Sequence, residues 1–277
     1  MAGEDLMRMA LGFLFLCSLG IAALAQAPTG PLYVPVQVHT LTIISNDLSQ
    51  DLRQHIVFAY QGRTYPLDEL EERIGQGLRD LGYANARVEI PQLATMTLPS
   101  PGQSVDIAVQ ISAGAIYTLS EIIFTGNKQI TNIEALRAQF PLNDGDRFNA
   151  TAIGKGLDSL KKAYQALGYI NFGAVPTLQH NEVQHTVTLT IDIDEGAQYL
   201  FGHLLLDGVE PHPGMAQALQ TAWKPLEDGD VYSPRLLAQW LGKNATFIPN
   251  AETAPEKYVS LLIDDDNGRV NVQLKFP

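Results

Sequence analysis

Gly145-Asp146-Arg147-Phe148-Asn149 is the stretch on which the fold turns, because the chain carries it in three versions. Gly62-Arg63-Thr64-Tyr65-Pro66 and Gly229-Asp230-Val231-Tyr232-Ser233 share its glycine, its aromatic three residues on and its helix-starting last residue. The three glycines lie 83 and 84 residues apart. Two further marks keep nearly the same step. Ala113-Gly114-Ala115-Ile116-Tyr117 returns after 82 residues as Glu195-Gly196-Ala197-Gln198-Tyr199, and Leu81-Gly82-Tyr83 returns after 86 as Leu167-Gly168-Tyr169. Marks that hold one period identify a repeat, each copy a supersecondary unit.

Within the middle copy the hydrophobic spacing can be followed in order. Tyr117 to Thr125 is rich in β-formers and stops at the turn formers Gly126-Asn127, which predicts a strand. Ile133, Leu136 and Phe140 keep a helical spacing up to Pro141 and the Asn143-Asp144-Gly145 break. Asn149 can cap a second helix whose Ile153, Leu157, Leu160, Tyr164 and Leu167 share one face, and Gly168 can take positive φ at its end. A short extended piece from Phe172 to Leu178 and the alternation Val187, Leu189, Ile191, Ile193 complete the unit. It reads β-α-α-β-β.

The first copy has the same order: strand Val36 to Ile44, helix near Asp51 to Tyr60, helix Leu67 to Leu81, and strands near Arg87 to Ile90 and Val105 to Ile111. Leu67, Leu70, Ile74, Leu78 and Leu81 make the stripe of its second helix. The third copy, the most diverged, lacks the Leu-Gly-Tyr element. It runs from strand Tyr199 to Leu206 through helices Met215 to Trp223 and Arg235 to Leu241 to strands Tyr258 to Ile263 and Val270 to Phe276, joined by a turn with Asn267-Gly268. One apolar sheet face needs covering, and two amphipathic helices can cover it. The predicted fold class is α+β: three tandem β-α-α-β-β domains, each a three-stranded mixed sheet under two helices.

Ahead of the repeats, Leu11 to Leu24 is an apolar run of signal-peptide length, and Ala23-Leu24-Ala25 is a small-x-small cleavage site. Cutting at Ala25-Gln26-Ala27 instead would place the rigid Pro28 directly after the scissile bond. The run is shorter than the ~20 residues of a membrane-spanning helix. The expected layout is a signal peptide over 1–25, a linker over 26–35 and repeats over 36–114, 115–196 and 197–277. Glu4 and Asp5 precede the single Arg8, an unusual leader that initiation at Met7 would repair. Cys17, the only cysteine, falls in the leader, so no disulfide is expected in the mature chain. Leu16 before it is too bulky for a lipid-attachment site.

The formal charge of −12, or −11 without residues 1–25, is spread along the chain and argues against a nucleic-acid partner. The histidines His39, His55, His180, His185, His203 and His212 form no H-E-x-x-H, and none joins a cysteine pair. Asp264-Asp265-Asp266-Asn267-Gly268 misplaces the glycine of a calcium loop and lacks its twelfth-position glutamate, so a hairpin turn is expected. Gly154-Lys155-Gly156 lacks the remaining residues of a phosphate loop and Gly75-x-Gly77 the third glycine of a dinucleotide fingerprint, and both pairs are read as close-packing positions in helices. No serine sits in a G-x-S-x-G elbow. No cofactor, metal or catalytic site is expected, and a hydrolase is the disfavoured reading.

The middle copy, with Phe124-Thr125-Gly126-Asn127, Gly145-Asp146-Arg147-Phe148-Asn149 and Lys162-Ala163-Tyr164-Gln165-Ala166-Leu167-Gly168-Tyr169, resembles the POTRA (polypeptide-transport-associated) domain. The first copy resembles it well, and the third does so in its strands and in Gly229 to Ser233. The resemblance is to the tandem POTRA domains of the BamA-type outer-membrane assembly and translocation superfamily. It implies a periplasmic, outer-membrane-associated interaction module rather than an enzyme. Its partners would be outer-membrane or secreted polypeptides in extended form, a separately encoded barrel, or assembly subunits. The chain reaches Phe276-Pro277 without the roughly ten-residue alternating strands of a membrane barrel. The expectation is therefore a factor acting in trans, not spanning the membrane after signal cleavage, or a relative whose barrel is lost or separately encoded. A spacer or a cell-division-type adaptor, tethered by an uncleaved N-terminal helix, is the alternative.

The resemblance also points to the second strand of each unit as the edge to which a client strand adds. In the middle copy these are Gly173, Ala174, Val175, Thr177 and Leu178, with Pro176 removing one donor. The repeat marks are read as structural. Gly62, Gly145 and Gly229 would permit an interhelical turn, Tyr65, Phe148 and Tyr232 would pack on the helix pair, and Gly82-Tyr83 and Gly168-Tyr169 would anchor the helix-to-strand corner.

Overall fold

The structure, a computed structural model, describes residues 35–91, 100–208, 213–248 and 255–276. The leader, its cleavage site and most of the linker lie outside the described residues. The described residues form three sheets, each with its own buried apolar cluster.

The first unit is β1 (Pro35–Ile44), α1 (Gln50–Tyr60), β2 (Thr64–Pro66), α2 (Leu67–Asp80), β3 (Arg87–Glu89) and β4 (Ser104–Ser112). The second is β5 (Thr118–Thr125), α3 (Ile133–Arg137), α4 (Ala150–Ala166), β6 (Gly173–Asn181) and β7 (Thr186–Asp194). The third is β8 (Leu200–Asp207), α5 (Pro213–Glu227), α6 (Pro234–Lys243), α7 (Pro255–Tyr258), β9 (Val259–Asp264) and β10 (Arg269–Lys275). The architecture is α+β, as expected. In every sheet the last strand is central: it runs parallel to the first strand and antiparallel to the strand before it. A parallel pair needs a long crossover, which the helices supply; the antiparallel neighbour in units two and three is a hairpin.

The alternation in β7 puts Val187, Leu189, Ile191 and Ile193 into the core under α4, where Ile153, Leu160 and Tyr164 are buried. Asn149 caps α4, its side chain accepting from the Ala152 N–H at 2.7 Å, and Gly168 follows the helix at φ +86°. The first helix of this unit shrinks to Ile133–Arg137, held at its start by Asn132. Leu136 and Phe140 are buried, whereas Ile133 is 48% exposed because the chain turns after only five helical residues.

Further details differ from the expectation. Residues Thr64–Pro66 form an added strand on β1, so the first sheet has four strands in the order β2-β1-β4-β3. The strand β6 runs on to Asn181, beyond the apolar residues that marked it. The last stripe leucines, Leu81 and Leu167, are 41% and 45% exposed, because each sits at its helix C-cap where the chain swings into a positive-φ glycine. The first strand of each unit carries one extra residue near its start, at Val38/Thr40, Leu119/Glu121 and the Phe201-to-Leu204 step. Such a bulge bends and twists the strand.

Candidate functional site

The repeated Gly-x-x-aromatic segment does more than turn the chain between helices. Gly62, Gly145 and Gly229 have positive φ, and the residues after them hook onto the first strand of their unit. The Val38 N–H donates to Arg63, Leu119 to Asp146 and Phe201 to Asp230, each at 2.8–2.9 Å. Thr118 with Arg147 and Leu200 with Val231 form isolated antiparallel bridges, the counterparts of β2. Phe148 and Tyr232 are buried at this seam, and Tyr65 is half-buried with its ring 5.7 Å from that of Tyr60. The covered edge of each sheet is thus the side of its first strand.

The Leu-Gly-Tyr element makes the joints between units. The N–H of Tyr117 donates to the Gly82 carbonyl at 2.8 Å, and that of Tyr199 to Gly168 at 2.9 Å. Both glycines have positive φ and are crowded from the next unit: a Cβ on Gly82 would meet Arg147 at 2.5 Å, and one on Gly168 would meet Val231 at 2.5 Å. Asn85 donates to the Tyr117 hydroxyl at 3.2 Å, and that hydroxyl donates to Glu182 in the β6–β7 turn. The second joint repeats this: Asn171 donates to the Tyr199 hydroxyl at 3.1 Å, and the hydroxyl donates to Asp265 in the β9–β10 turn. The sequence carries a signal for this triad that the shorter motif missed, since both elements extend to Leu-Gly-Tyr-x-Asn.

The joints are not equal. At the first, Asp80 at the end of α2 accepts from the Thr151 N–H and hydroxyl, both at 2.8 Å, and Asn149 donates to the Asp80 carbonyl at 3.1 Å. An acid on the open N–H groups of a helix start is favourable. Aligned on Leu-Gly-Tyr, the second joint has Ala166 in place of Asp80, and its link is Gln198 donating to the Leu167 carbonyl at 2.9 Å.

Glu195 is a buried carboxylate at the end of β7. It accepts from the N–H of Lys128 and of Gln129, both at 2.8 Å, and from the Tyr164 hydroxyl at 3.0 Å, pinning the β5–α3 loop to the core. Burial works against its charge, but the two backbone donors and Tyr164 outweigh it and hold the carboxyl below its ordinary value.

The predicted client edge, Gly173 to Leu178, lies on β6, the outer strand in the order β5-β7-β6. Its register on β7 runs unbroken from Gly173↔Asp194 to Asn181↔Thr186, through Pro176↔Ile191. Which backbone groups face outward follows from β7. The carbonyl of Ile191 takes the Thr125 hydroxyl at 3.4 Å and that of Ile193 closes on Gly126, so both point to β5. Asp192, Thr190 and Thr188 therefore face β6 and pair Val175, Thr177 and Gln179. The N–H groups of Ala174, Leu178 and His180 are left on the free edge, with the bare nitrogen of Pro176 between them. Proline is tolerated in this strand because its missing donor faces away from the ladder. Val175 and Leu178 are exposed.

Two grooves flank the first strands of units one and two. One of about 770 Å³ is lined by Leu41, Ile43, Arg53, Val57 and Phe58, and one of about 740 Å³ by Ile122, Ile133, Arg137 and Phe140 among others. Among the described residues no group of three or more His, Cys, Asp or Glu is placed to hold a metal ion. No helix of the described residues is long and apolar enough to cross a membrane.

Residues 117–196 match the family model for POTRA, described as a surface antigen variable number repeat. The chain is similar in structure to POTRA3-5 of Haemophilus influenzae BamA, with a TM-score of 0.57 at 16% identity over 90% of this chain and 99% of that one. It is also matched to POTRA1-3 of the periplasmic domain of Omp85 from Anabaena (TM-score 0.33, 17% identity, 87% of this chain and 95% of that one). A third match is BamA from Haemophilus ducreyi lacking POTRA domains 1-3 (TM-score 0.43, 20% identity, 60% of this chain), of which the chain spans about a third, 32%. Residues 117–196 match the POTRA family directly, the flanking units repeat the strand order of that unit, and the chain accordingly has the fold of a tandem POTRA array.

Proposed function

We propose that the chain is a periplasmic interaction module that takes up extended polypeptide segments, or the strands of an assembly partner, on the outer edge of β6. The single observation that carries this reading is the free edge itself: β6 is paired on one side only, along nine residues. A docked strand would satisfy the N–H and C=O groups of Ala174, Leu178 and His180, each bond contributing about 0.5–1.5 kcal/mol net. Val175 and Leu178, exposed on opposite faces, would read alternate side chains of the guest. Pro176 interrupts the row, which limits the pairing to short segments on either side of it. Nothing in this mode needs covalent chemistry, and likeness to periplasmic POTRA arrays supports the location.

The test is amide hydrogen exchange on the folded chain with an uncharged eight-residue peptide of alternating valine and threonine. Added protection at Ala174, Leu178 and His180 supports the reading. Binding with protection elsewhere, or no binding at millimolar peptide, overturns it.

A further inference from the structure

The hairpin tips that close the two joints are built alike. In the β6–β7 tip the Gln184 N–H donates to the Asn181 side chain at 3.0 Å, and in the β9–β10 tip the Asn267 N–H donates to the Asp264 side chain at 3.1 Å. The next residue has positive φ in each, +50° at His185 and +61° at Gly268. Its carbonyl accepts from the first strand of the unit, from Thr118 at 3.0 Å and from Leu200 at 2.9 Å. One pair of residues differs in a way that changes the chemistry. Gln184-His185 at the first joint becomes Asn267-Gly268 at the second, and Asn267 is the one asparagine of the chain that a glycine follows.

An asparagine followed by glycine can react with its own backbone. The Gly268 nitrogen is placed along the chain to close a five-membered ring on the side-chain carbonyl carbon of Asn267, and without a Cβ the glycine backbone can approach closely. A glutamine, as at Gln184, would have to close a larger ring, and the residue after it carries a side chain. Asn267 is exposed at the tip. The turn bonds there engage the Asn267 N–H and the Gly268 carbonyl rather than the Gly268 N–H, which is the group that attacks.

We infer that Asn267-Gly268 is a self-modification site whose conversion loosens the joint between the second and third units. The Gly268 nitrogen bonds to the Asn267 side-chain carbonyl carbon, the bond from that carbon to Nδ2 breaks, and ammonia leaves with the proton given up by Gly268. Water then opens the cyclic imide at either of its carbonyls, giving aspartate or isoaspartate, with nothing oxidised or reduced. Both products disturb the tip. The Asn267 Nδ2 donates to Asp264 at 2.9 Å, and this bond leads those that hold the Asp264 carboxyl below its ordinary value. Aspartate puts a like charge where that donor stood, directly after the run Asp264-Asp265-Asp266. Isoaspartate adds a carbon to the backbone between Asp264 and Arg269, whose pairing fixes both ends of the tip. Asp265, which takes the Tyr199 hydroxyl, lies inside that loop. The second joint has no counterpart of the Asp80 clasp on Thr151, so losing Asp265 leaves it the Tyr199 backbone bond and the Gln198 link. The first joint, closed by Gln184-His185, is spared.

The test is incubation of the folded chain in warm, mildly alkaline buffer beside a free peptide of residues 261–271, followed by peptide mass spectrometry with isoaspartate detection. Conversion is expected at Asn267, as a mixture of aspartate and isoaspartate, at no less than roughly a tenth of the rate in the free peptide and roughly ten-fold faster than at any other asparagine, because no other has a glycine after it. Asn267→Gln keeps an amide at this position and abolishes the conversion. Double electron–electron resonance between labels in the second and third units then reads the joint. The converted fraction and Asn267→Asp are expected to broaden that distance distribution, with the distribution between the first and second units unchanged and far-ultraviolet circular dichroism preserved. A folded chain that keeps its amide while the free peptide converts overturns the inference. So does conversion that leaves the second joint as narrow as before, or broadens both joints alike. None of these outcomes bears on β6, whose exchange with peptide is read at amides of the second unit.

Discussion

The N–H of Tyr199 donates to the carbonyl of Gly168 at 2.9 Å, which ties the start of the third unit to the glycine that follows the long helix of the second. Gly168 holds φ +86°, and a Cβ there would lie 2.8 Å from the carbonyl oxygen of that same tyrosine. Gly168→Ala is therefore expected to destabilise the chain by about 1–3 kcal/mol, through strain at positive φ together with the clash. Urea unfolding of the pair measures it. A loss under 0.5 kcal/mol would mean that the joint yields.

The tyrosine hydroxyls hold the joints rather than the cores. Tyr117→Phe keeps the buried ring and removes only the group between Asn85 and Glu182. The expected outcome is a wider spread of distances between spin labels in units one and two by double electron–electron resonance, with the distances within each unit unchanged. Tyr199→Phe should broaden the second joint further, because that joint lacks the clasp Asp80 makes with Thr151.

Glu195 couples the middle unit to acid. Its carboxyl is held below the ordinary value of 4.5, so the stability it supplies is complete above that value and is lost as pH falls through the lower, folded one. Glu195→Gln keeps the shape but loses the charge-assisted bonds to Lys128 and Gln129. It is expected to cost about 1–3 kcal/mol at pH 7 and to flatten the pH dependence of stability below 4.5. Unfolding curves at pH 3 to 7 check both, and parallel curves for the two proteins would refute the linkage.

Two glycines in α4 should respond in opposite directions. At Gly154 an added Cβ meets nothing within 4 Å, so Gly154→Ala is expected to stabilise by about 0.5–1 kcal/mol through helix propensity. At Gly156 the Cβ would lie 2.1 Å from the Phe140 ring, and Gly156→Ala is expected to cost about 1–3 kcal/mol through overpacking. Thermal denaturation of both variants decides it.

Pro176→Val restores a donor on the free edge of β6 and removes its guard. Peptide affinity is expected to rise by about 0.5–1.5 kcal/mol per added bond, with stability within about 0.5 kcal/mol of the parent. Titration by isothermal calorimetry is the measurement. Unchanged affinity would place the guest elsewhere.

The residues alone determined the period of the chain, the order of strands and helices in each unit, the caps at Asn149 and Gly168 and the buried alternation of β7. All of these rest on contacts between near neighbours or on a two- or 3.6-residue rhythm, which are written locally. The tertiary structure decided the rest. That Thr64–Pro66 is a strand and that each first strand bulges depends on partners tens of residues away. The joints were half legible: the recurring tyrosines stood out, but Asn85 and Asn171 acquired meaning only when folding brought Glu182 and Asp265 to the same hydroxyls. Which edge is open could not be read from β-forming residues, because β6 and β9 resemble their neighbours until the register shows which backbone groups already have partners.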